Sequence, residues 1–364
     1  MQIQKVDVHL FNATLRQPIV TGYQTYTTNP VVILIMHADG LTGVAETTGP
    51  PGYSGETTGS ILGAFDEIVP RILGMDPFDI SRIHDQMDAG IKHNHAAKAA
   101  VDIAAYDLMG KASNKPIHKL LGGLYAEKLP NHMMLTIKST KDMVADLTNF
   151  IEMGYRTFEV KVGLDPQGDI ERITSLRKAA GPDVVLKFDA NGGWTPSEAI
   201  SILKKVEHLD IWAEQPSPTI QDLAQIRRAV KVPVVADECI MGPSDLIEVI
   251  RAQAADMVAL KLLKFGGFFT AKGLCTIAEA ASIPVYIDDY VCSRVANTAG
   301  LQLAVSTRDL FGCGFTTHTY LKEDLVKSGG ITVKDGIGKV PRGPGLGLEI
   351  DPKYLGKPVK SYSK

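Results

Sequence analysis

Six ionisable side chains recur between residues 161 and 288 at intervals of 23 to 28 residues. Each ends or follows a short apolar segment, and the interval is the length of one strand plus one helix. The six residues are Lys161, Asp189, Glu214, Asp237, Lys261 and Asp288. If the segments are strands of one parallel barrel, their carboxyl ends meet at one mouth, and two lysines and four carboxylates converge there.

Three of the carboxylates, Asp189, Glu214 and Asp237, come from consecutive segments. Clustered carboxylates repel one another unless a cation lies between them, and all-oxygen ligation selects a hard ion. We therefore predict one Mg²⁺ per chain, with Mn²⁺ as its expected substitute. The alternative is that the three are unrelated, ion-paired side chains at strand ends.

The lysines come from the segments before and after this trio, so we expect Lys161 and Lys261 on opposite sides of the metal. A lysine near Mg²⁺ and a second cation has a lowered pKa and can act as a base near neutral pH. Two bases on opposite faces of one carbon suit removal and return of a proton. The metal would hold a substrate carboxylate and stabilise the enediolate that forms when the α-proton leaves. Taken singly, each lysine could instead be a salt-bridge partner.

The segment around Lys161 alternates apolar and polar residues, which predicts that Glu159 and Lys161 both point toward the barrel axis. The same alternation points Lys187 and Asp189 inward on the next strand. Glu159 and Lys187 would then lie one step below the mouth, where an unpaired charge is costly. We predict a buried ion pair between them.

Short apolar strands alternate with amphipathic helices around these groups, and this alternation predicts an α/β fold. We expect a (β/α)8-type barrel with an N-terminal α+β capping domain that the C-terminal tail completes. Strands are expected at 129–137, 157–162, 184–189, 210–214, 234–237, 257–262, 284–289 and 313–317. The predicted domains are the cap at 1–125, the barrel at 126–320 and a tail at 321–364 that packs on the cap. A doubly wound sheet is the alternative, but its Gly-rich phosphate-binding turn is not visible in the sequence.

Composition narrows the class of protein. The chain has 364 residues, is 45% hydrophobic and has a formal net charge of −3, which argues against a nucleic-acid partner. No apolar run approaches the length of a membrane helix, so no membrane partner is expected. The four cysteines lack a C-x-x-C spacing, which favours a reducing, cytoplasmic location.

Several motifs resemble those of the enolase superfamily, and specifically its muconate-lactonizing-enzyme subgroup. They are the run AAKAAVDIAAYDLMG at 96–110, LLGG at 120–123, Asp189-Ala190-Asn191, Glu214-Gln215-Pro216, Asp237-Glu238 and Lys261 with Gly266-Gly267. Superfamily sites use lysine or histidine bases with Mg²⁺ on an enediolate. The resemblance implies that Asp189, Glu214 and Asp237 are metal ligands, that Asn191 and Glu238 support them, and that Lys161 and Lys261 are the acid–base pair. It also implies a homo-oligomer, from a dimer to an octamer.

One position departs from the subgroup's pattern. The subgroup usually has Lys-x-Lys on the second barrel strand, whereas this chain has Glu159-Val160-Lys161. A carboxylate beside Lys161 would raise its pKa unless Lys187 neutralises that carboxylate. The departure therefore affects the pKa of Lys161 more than its expected role as an acid–base residue.

Loops of the cap and the seventh barrel strand are expected to contact a small-molecule carboxylate substrate. The candidate residues are Tyr23, Tyr26, Tyr53, Asp288 and Asp289. Aromatic rings with carboxylates favour a cationic group such as an amine. The whole sequence is similar to relatives that act on proline derivatives. The tyrosines could equally be ordinary loop anchors.

The resulting prediction is a Mg²⁺-dependent racemase or epimerase that uses two lysines on an amino-acid derivative, such as a proline or hydroxyproline derivative. A dehydratase or cycloisomerase on the same scaffold is the alternative. A Schiff-base aldolase and a non-catalytic relative are more remote alternatives.

Overall fold

The computed structural model describes residues 1–22 and 24–364; the predicted substrate contact Tyr23 lies outside the described residues. The strands are β1 Ile3–Val20, β2 Thr25–Ala38, β3 Leu41–Thr47, β4 Lys128–Pro130, β5 Met133–Leu135, β6 Thr157–Lys161, β7 Val185–Asp189, β8 Trp212–Glu214, β9 Val234–Ala236, β10 Met257–Lys261, β11 Val285–Asp288, β12 Leu310–Gly314, β13 Val326–Gly329, β14 Thr332–Lys334, β15 Ile337–Lys339, β16 Leu348–Ile350 and β17 Lys360–Ser363. The helices are α1 Pro51–Ser54, α2 Thr58–Ile72, α3 Ile80–Gly90, α4 His95–Ala112, α5 Ile117–Leu120, α6 Thr140–Glu152, α7 Pro166–Ala180, α8 Pro196–Val206, α9 Ile220–Ala229, α10 Pro243–Ala252, α11 Phe268–Ala280 and α12 Arg294–Ala304, with short 3-10 helices at Leu262–Phe265, Thr317–Tyr320 and Pro352–Tyr354.

Eight parallel strands form the predicted barrel, in the order β12-β11-β10-β9-β8-β7-β6-β5. The sheet nearly closes, because a parallel bridge joins Asn131, just before β5, to Cys313 on β12. The fold class is therefore confirmed. The last barrel strand begins at Leu310 and not at 313 as predicted, since Gly312 and Gly314 leave its apolar pattern short.

The three N-terminal strands form an antiparallel sheet with the C-terminal strand, in the order β17-β1-β2-β3. Asp39 and Gly40 form the β2–β3 turn with φ of 48° and 78°, a left-handed pair that favours a tight hairpin. The C-terminal strand β17 pairs with β1, so the end of the chain completes this sheet.

Helix α4 lies between the cap and the barrel and is buried along nearly its whole length. Its alanine-rich sequence allows this close approach, and its charged residues Lys98, Asp102 and Asp107 are buried as well. It contacts β2, β3 and the 3-10 helix that follows β10. No helix of the described residues has both the length and the apolar character required to cross a membrane.

Buried carboxylates of the cap bind the amino ends of barrel helices. Glu46, at 0% exposure, accepts hydrogen bonds from the Ser293 backbone N–H at 2.7 Å, from the Ser293 hydroxyl and from the Ala296 N–H at 3.1 Å. Asp102 accepts from the backbone N–H of Phe268 at 2.5 Å. These anions satisfy the unpaired N–H groups that begin α12 and α11 and fix the cap over the barrel mouth.

Candidate active site

The six predicted residues all lie at the carboxyl ends of barrel strands. Lys161, Asp189, Glu214, Lys261 and Asp288 are the last residues of β6, β7, β8, β10 and β11, and Asp237 follows β9 directly. Lys161 pairs in register with Asp189, Asp189 with Glu214, and Lys261 with Asp288. All six are buried. The parallel register therefore brings their side chains to one end of the barrel.

Carboxylate oxygens of Asp189, Glu214 and Glu159 lie within 4.8 Å of one another. Burial raises the pKa of Glu214 well above its ordinary value, and Asp189 adds to this although Lys187 opposes it. Oε1 of Glu214 is buried and has no hydrogen-bond partner among the described residues. A buried group of crowded, incompletely paired carboxylate oxygens suits a hard divalent cation, so these residues fit Mg²⁺.

Asp237, the third predicted ligand, is hydrogen-bonded to two lysines and is not part of that carboxylate cluster. Its Oδ2 accepts from Lys261 Nζ at 2.6 Å, and its Oδ1 accepts from Lys264 Nζ at 2.6 Å. Although burial raises its pKa, the two ammonium groups bring the pKa of Asp237 below its ordinary value. Lys264 was missed as a site residue because it lies three residues past the strand end; a tight 3-10 turn at Leu262–Phe265 brings it back, fully buried, to Asp237.

Asn191 and Glu238 adjoin the carboxylates as the resemblance implied. The Asn191 side-chain amide donates to Asp189 Oδ2 and to Glu238 Oε1, both at 2.8 Å. Burial and the nearby Asp237 carboxylate raise the pKa of Glu238 to about 8. Asn191 therefore links two acidic groups from the ends of β7 and β9, which lie on either side of β8.

Lys161 and Lys261 approach the same cavity from different walls. Their strands, β6 and β10, are four apart in a barrel of eight, which is the greatest separation that the barrel allows. Lys161 Nζ lies 2.5 Å from Asp189 Oδ2 and also contacts Glu159, while Lys261 Nζ lies 3.7 Å from Asp288 Oδ2. Burial lowers their pKa values, but the surrounding carboxylates outweigh it and raise both well above the ordinary value. This direction is opposite to the lowering expected beside a bound cation.

Beneath the mouth, the predicted ion pair between Glu159 and Lys187 is confirmed, at 3.4 Å. It is part of a wider network, because Lys187 also contacts Glu214 and lies 4.1 Å from the ring centroid of Tyr286. His132 was missed by sequence reasoning. Its Nε2 lies 3.3 Å from Glu159 Oε2, and burial lowers its pKa to about 3, so the imidazole is neutral.

A cavity of about 300 Å³ opens above these groups. Its lining includes Lys161, Lys261, Asp288, Asp289, Tyr26 and Tyr53. The Tyr53 ring packs edge-on against Tyr290, with centroids 5.1 Å apart, and Lys261 Nζ is 5.3 Å from its centroid. The predicted contacts within the described residues therefore all face one space, together with Tyr290, which the sequence did not single out.

Four buried polar atoms on residues that line this cavity have no hydrogen-bond partner among the described residues. They are the hydroxyls of Tyr53 and Tyr290, Oδ2 of Asp289 and Oδ1 of Asn191. Burial raises the pKa of Asp289 to about 7. Unpaired buried polar groups are costly, so atoms of this kind in a cavity indicate a ligand that hydrogen-bonds to them.

Comparisons with known proteins agree with this geometry. The family model "Mandelate racemase / muconate lactonizing enzyme, N-terminal domain" matches residues 5–122, and "Enolase C-terminal domain-like" matches 142–354. The chain is 32% identical to N-succinyl-L-Arg/Lys racemase of Bacillus cereus over 98% of this chain and 97% of that protein. It is 33% identical to cis-3-hydroxy-L-proline dehydratase of Roseibium aggregatum, covering 91% of each. The structure of dipeptide epimerase from Cytophaga hutchinsonii, complexed with Mg and D-Ala-L-Val, superposes with a TM-score of 0.95 at 30% identity, covering 100% of this chain and 99% of that one.

A capped eight-stranded barrel with lysines and buried carboxylates at its mouth is the arrangement of a metal-dependent isomerase or lyase. The chain belongs to the mandelate racemase/muconate lactonizing enzyme family of the enolase superfamily. The relatives cited are a racemase, a dehydratase and an epimerase, which gives no support to the Schiff-base aldolase considered as a remote alternative.

Proposed function

We propose that this enzyme is a Mg²⁺-dependent racemase or epimerase that removes and returns the proton α to the carboxylate of an amino-acid derivative. One observation carries the proposal: Lys161 and Lys261 line one cavity from strands four apart, with buried carboxylates between those strands. A carbon held at the centre of this cavity would face one amine on each side.

Asp189, Glu214 and Asp237 would hold the Mg²⁺. Each Asp237 oxygen that accepts from a lysine keeps a second lone pair for a cation, and Asn191, bonded to both Asp189 and Glu238, would orient Asp189. When bound, Mg²⁺ supplies a Lewis acid that holds the substrate carboxylate and stabilises the negative charge that develops as the α-proton leaves. Carboxylates engaged with a cation stabilise the two ammonium groups less, so the pKa values of Lys161 and Lys261 would fall toward those of useful bases.

The lysines would work in opposite protonation states. The neutral amine takes the α-proton from one face, and the ammonium group on the other side gives a proton to the opposite face. Asp189 beside Lys161 and Asp237 beside Lys261 hold each Nζ in place by hydrogen bonds of 2.5 and 2.6 Å.

The cavity favours a small substrate whose second polar group is a donor. Asp289 offers an unpaired carboxyl oxygen, and Tyr53 and Tyr290 offer unpaired hydroxyls. The basic side chains among its described lining residues are His132, Lys161 and Lys261, and all three come from the barrel and not from the cap. An amine or ring nitrogen at Asp289, as in a proline or hydroxyproline derivative, fits this distribution; Asp288 lies lower, beside Lys261.

Elimination on the same scaffold is the second candidate, since a dehydratase is among the relatives. It would use the same α-proton abstraction and then lose a β-hydroxyl group. Product analysis separates the two: racemisation returns the starting compound with both configurations, whereas elimination gives an unsaturated or keto product.

The test is a screen of N-substituted L-amino acids, including N-methyl-L-proline and cis-3-hydroxy-L-proline, in D₂O with Mg²⁺. Proton NMR and chiral chromatography follow each compound. We expect α-deuterium incorporation with loss of optical purity for at least one, abolished by EDTA and restored by Mg²⁺, with Mn²⁺ as the predicted substitute. Exchange that survives EDTA, or no α-exchange with any compound, would contradict the proposal. The homo-oligomer and the cytoplasmic location stay predictions, for light scattering and cell fractionation.

A further inference from the structure

A short loop of the cap covers part of the cavity. This segment, residues 48–56, joins β3 to α2 and is called the Tyr53 loop below. Its residues in the cavity wall are Thr48, Gly49, Pro50, Pro51 and Tyr53. The loop is held in shape by its own hydrogen bonds, because the Pro50 carbonyl accepts from the backbone N–H groups of Tyr53 and Ser54 at 3.0 and 2.9 Å. Its position over the cavity therefore depends on how its two ends are held.

Both ends of the Tyr53 loop are attached to one residue of α4, Ala96. At the end of the loop, both carboxyl oxygens of Glu56 lie 3.2 Å from the Ala96 backbone nitrogen and accept from its N–H. Just before the loop, the Thr47 hydroxyl donates to the Ala96 carbonyl at 2.8 Å. The two ends also touch each other, since a Cβ at Gly49 would lie 2.9 Å from Cβ of Glu56. The attachment at Ala96 therefore sets where this compact loop lies.

Glu56 also supplies an acceptor that the amino end of α4 lacks. The residue before this helix, Asn94, has φ of 51° and makes no side-chain hydrogen bond to the first turn. The N–H groups of a first turn have no partner within the helix and favour an acceptor or an anion. Glu56 fills this place and is itself 8% exposed. Because α4 is buried along nearly its whole length, it gives the loop a rigid support.

We propose that Glu56 is a positioning residue for substrate binding, which fixes the Tyr53 loop over the cavity by attaching it to the amino end of α4. The inference rests on the proposed function, because it takes the unpaired Tyr53 hydroxyl as a substrate contact. Glu56 is not among the described residues that line the cavity, so it acts on the substrate through the loop.

The protonation state of Glu56 affects the strength of this attachment. Burial raises the pKa of Glu56 to about 7, although a backbone N–H and the nearby Lys98 oppose the rise. Lys98 is itself paired with Asp88 of α3 at 2.6 Å. Burial lowers the pKa of His95, which begins α4, and raises the pKa of Tyr290, which follows β11, well above its ordinary value. Among these groups around the attachment, Glu56 is therefore the one that gains a charge as the pH rises toward 7.

The size of this effect follows from the two states of the loop. A Glu56 carboxyl group displaced from α4 would be exposed to water and would regain its ordinary pKa of 4.5. Because the attached loop holds the proton more tightly, a rising pH favours the displaced loop between 4.5 and 7 and has no further effect well above 7. The ratio of displaced to attached loop should rise about twentyfold from about pH 5.5 to about pH 7.5.

The experiment compares the wild-type enzyme with Glu56→Gln, Glu56→Ala and a control, Glu67→Gln, all with Mg²⁺ present. Glutamine keeps an acceptor oxygen for the Ala96 N–H but cannot ionise, whereas alanine removes the attachment. Glu67 is an exposed carboxylate of α2, so its replacement removes the same charge. Mass spectrometry follows hydrogen–deuterium exchange at the amides of Ala96 and of residues 48–56 from about pH 5.5 to about pH 7.5. Dividing each rate by that of Glu56→Gln at the same pH cancels the intrinsic pH dependence of exchange. KM and kcat are measured with N-methyl-L-proline or whichever screened derivative exchanges fastest.

We expect amide exchange in the wild type, relative to Glu56→Gln, to rise about twentyfold over this pH range, and Glu67→Gln to follow the wild type. Glu56→Ala should raise KM about tenfold and lower kcat less than about threefold. If Glu56→Ala does not fold, Thr47→Val, which removes the other bond to Ala96, should raise KM about threefold. An exchange ratio that does not change with pH, an unchanged KM, or a kcat that falls as much as KM rises would overturn the inference. Absence of turnover in the wild type would instead refute the proposed function, whereas the exchange measurement needs no substrate and decides the attachment separately.

Discussion

Glu46 joins the cap to the barrel by accepting hydrogen bonds at the start of α12. Replacing Glu46 tests how much this junction contributes to the stability of the enzyme. Glu46→Ala leaves three buried donors without an acceptor, two N–H groups and the Ser293 hydroxyl. Each lost partner costs about 1–3 kcal/mol. Part of this loss is offset, because burial raises the pKa of Glu46 and shows that holding its charge in the core is unfavourable. We expect a net loss of about 4 kcal/mol in the free energy of unfolding.

Urea unfolding followed by fluorescence and circular dichroism measures this loss. Glu46→Gln is the matched control, since it keeps one acceptor oxygen and should lose about half as much. Because Glu46 lies one residue before the end of β3, the strand that precedes the Pro51–Ser54 helix carrying Tyr53, Glu46→Ala should also raise KM more than it lowers kcat. A variant within about 1 kcal/mol of the wild type, with an unchanged KM, would refute this account of the junction.

Three further outcomes follow from the structure. Burial raises the pKa of Glu56 from its ordinary value of 4.5 to about 7. Ionising this carboxyl group therefore destabilises the folded protein progressively as the pH rises through that range. Between about pH 5 and pH 8, the stability of Glu56→Gln relative to wild type should increase by about 2 kcal/mol in urea unfolding. Mg²⁺ at about a hundred times its Kd should stabilise the wild type by about 2.7 kcal/mol in thermal unfolding, and Glu214→Gln should abolish this gain. Lys264→Met should weaken Mg²⁺ binding in calorimetry about tenfold, because the amine fixes Asp237 through bonds of 2.6 and 2.7 Å.

The barrel and the placement of its polar residues were predictable because both follow from periodicity. The regular spacing of charged residues identified strand ends, and alternation along β6 and β7 gave the inward pair Glu159 and Lys187. These patterns are local in sequence, and the parallel register of the strands places the patterned residues side by side at one end of the barrel. The last barrel strand was misplaced because Gly312 and Gly314, which make room for Tyr286 and His132, remove the apolar signal.

The rest of the site depends on contacts between distant segments that no local pattern encodes. His132 reaches Glu159 only because the first barrel strand lies beside the second, and Lys264 reaches Asp237 only because a tight turn folds it back. The direction of the lysine pKa shifts also required the structure, since it depends on how many carboxylates surround each amine. The unpaired hydroxyl of Tyr290 likewise has no signature in the sequence.

The most direct test of the two-base site is α-deuterium exchange with each enantiomer separately, in Lys161→Ala and Lys261→Ala. Each variant lacks the base on one side of the cavity, so we expect each to lose about a thousandfold in exchange with one enantiomer while exchanging the other within about tenfold of the wild type. The two variants should show opposite preferences. Equal loss with both enantiomers in both variants, or loss in only one variant, would contradict the assignment of one lysine to each face.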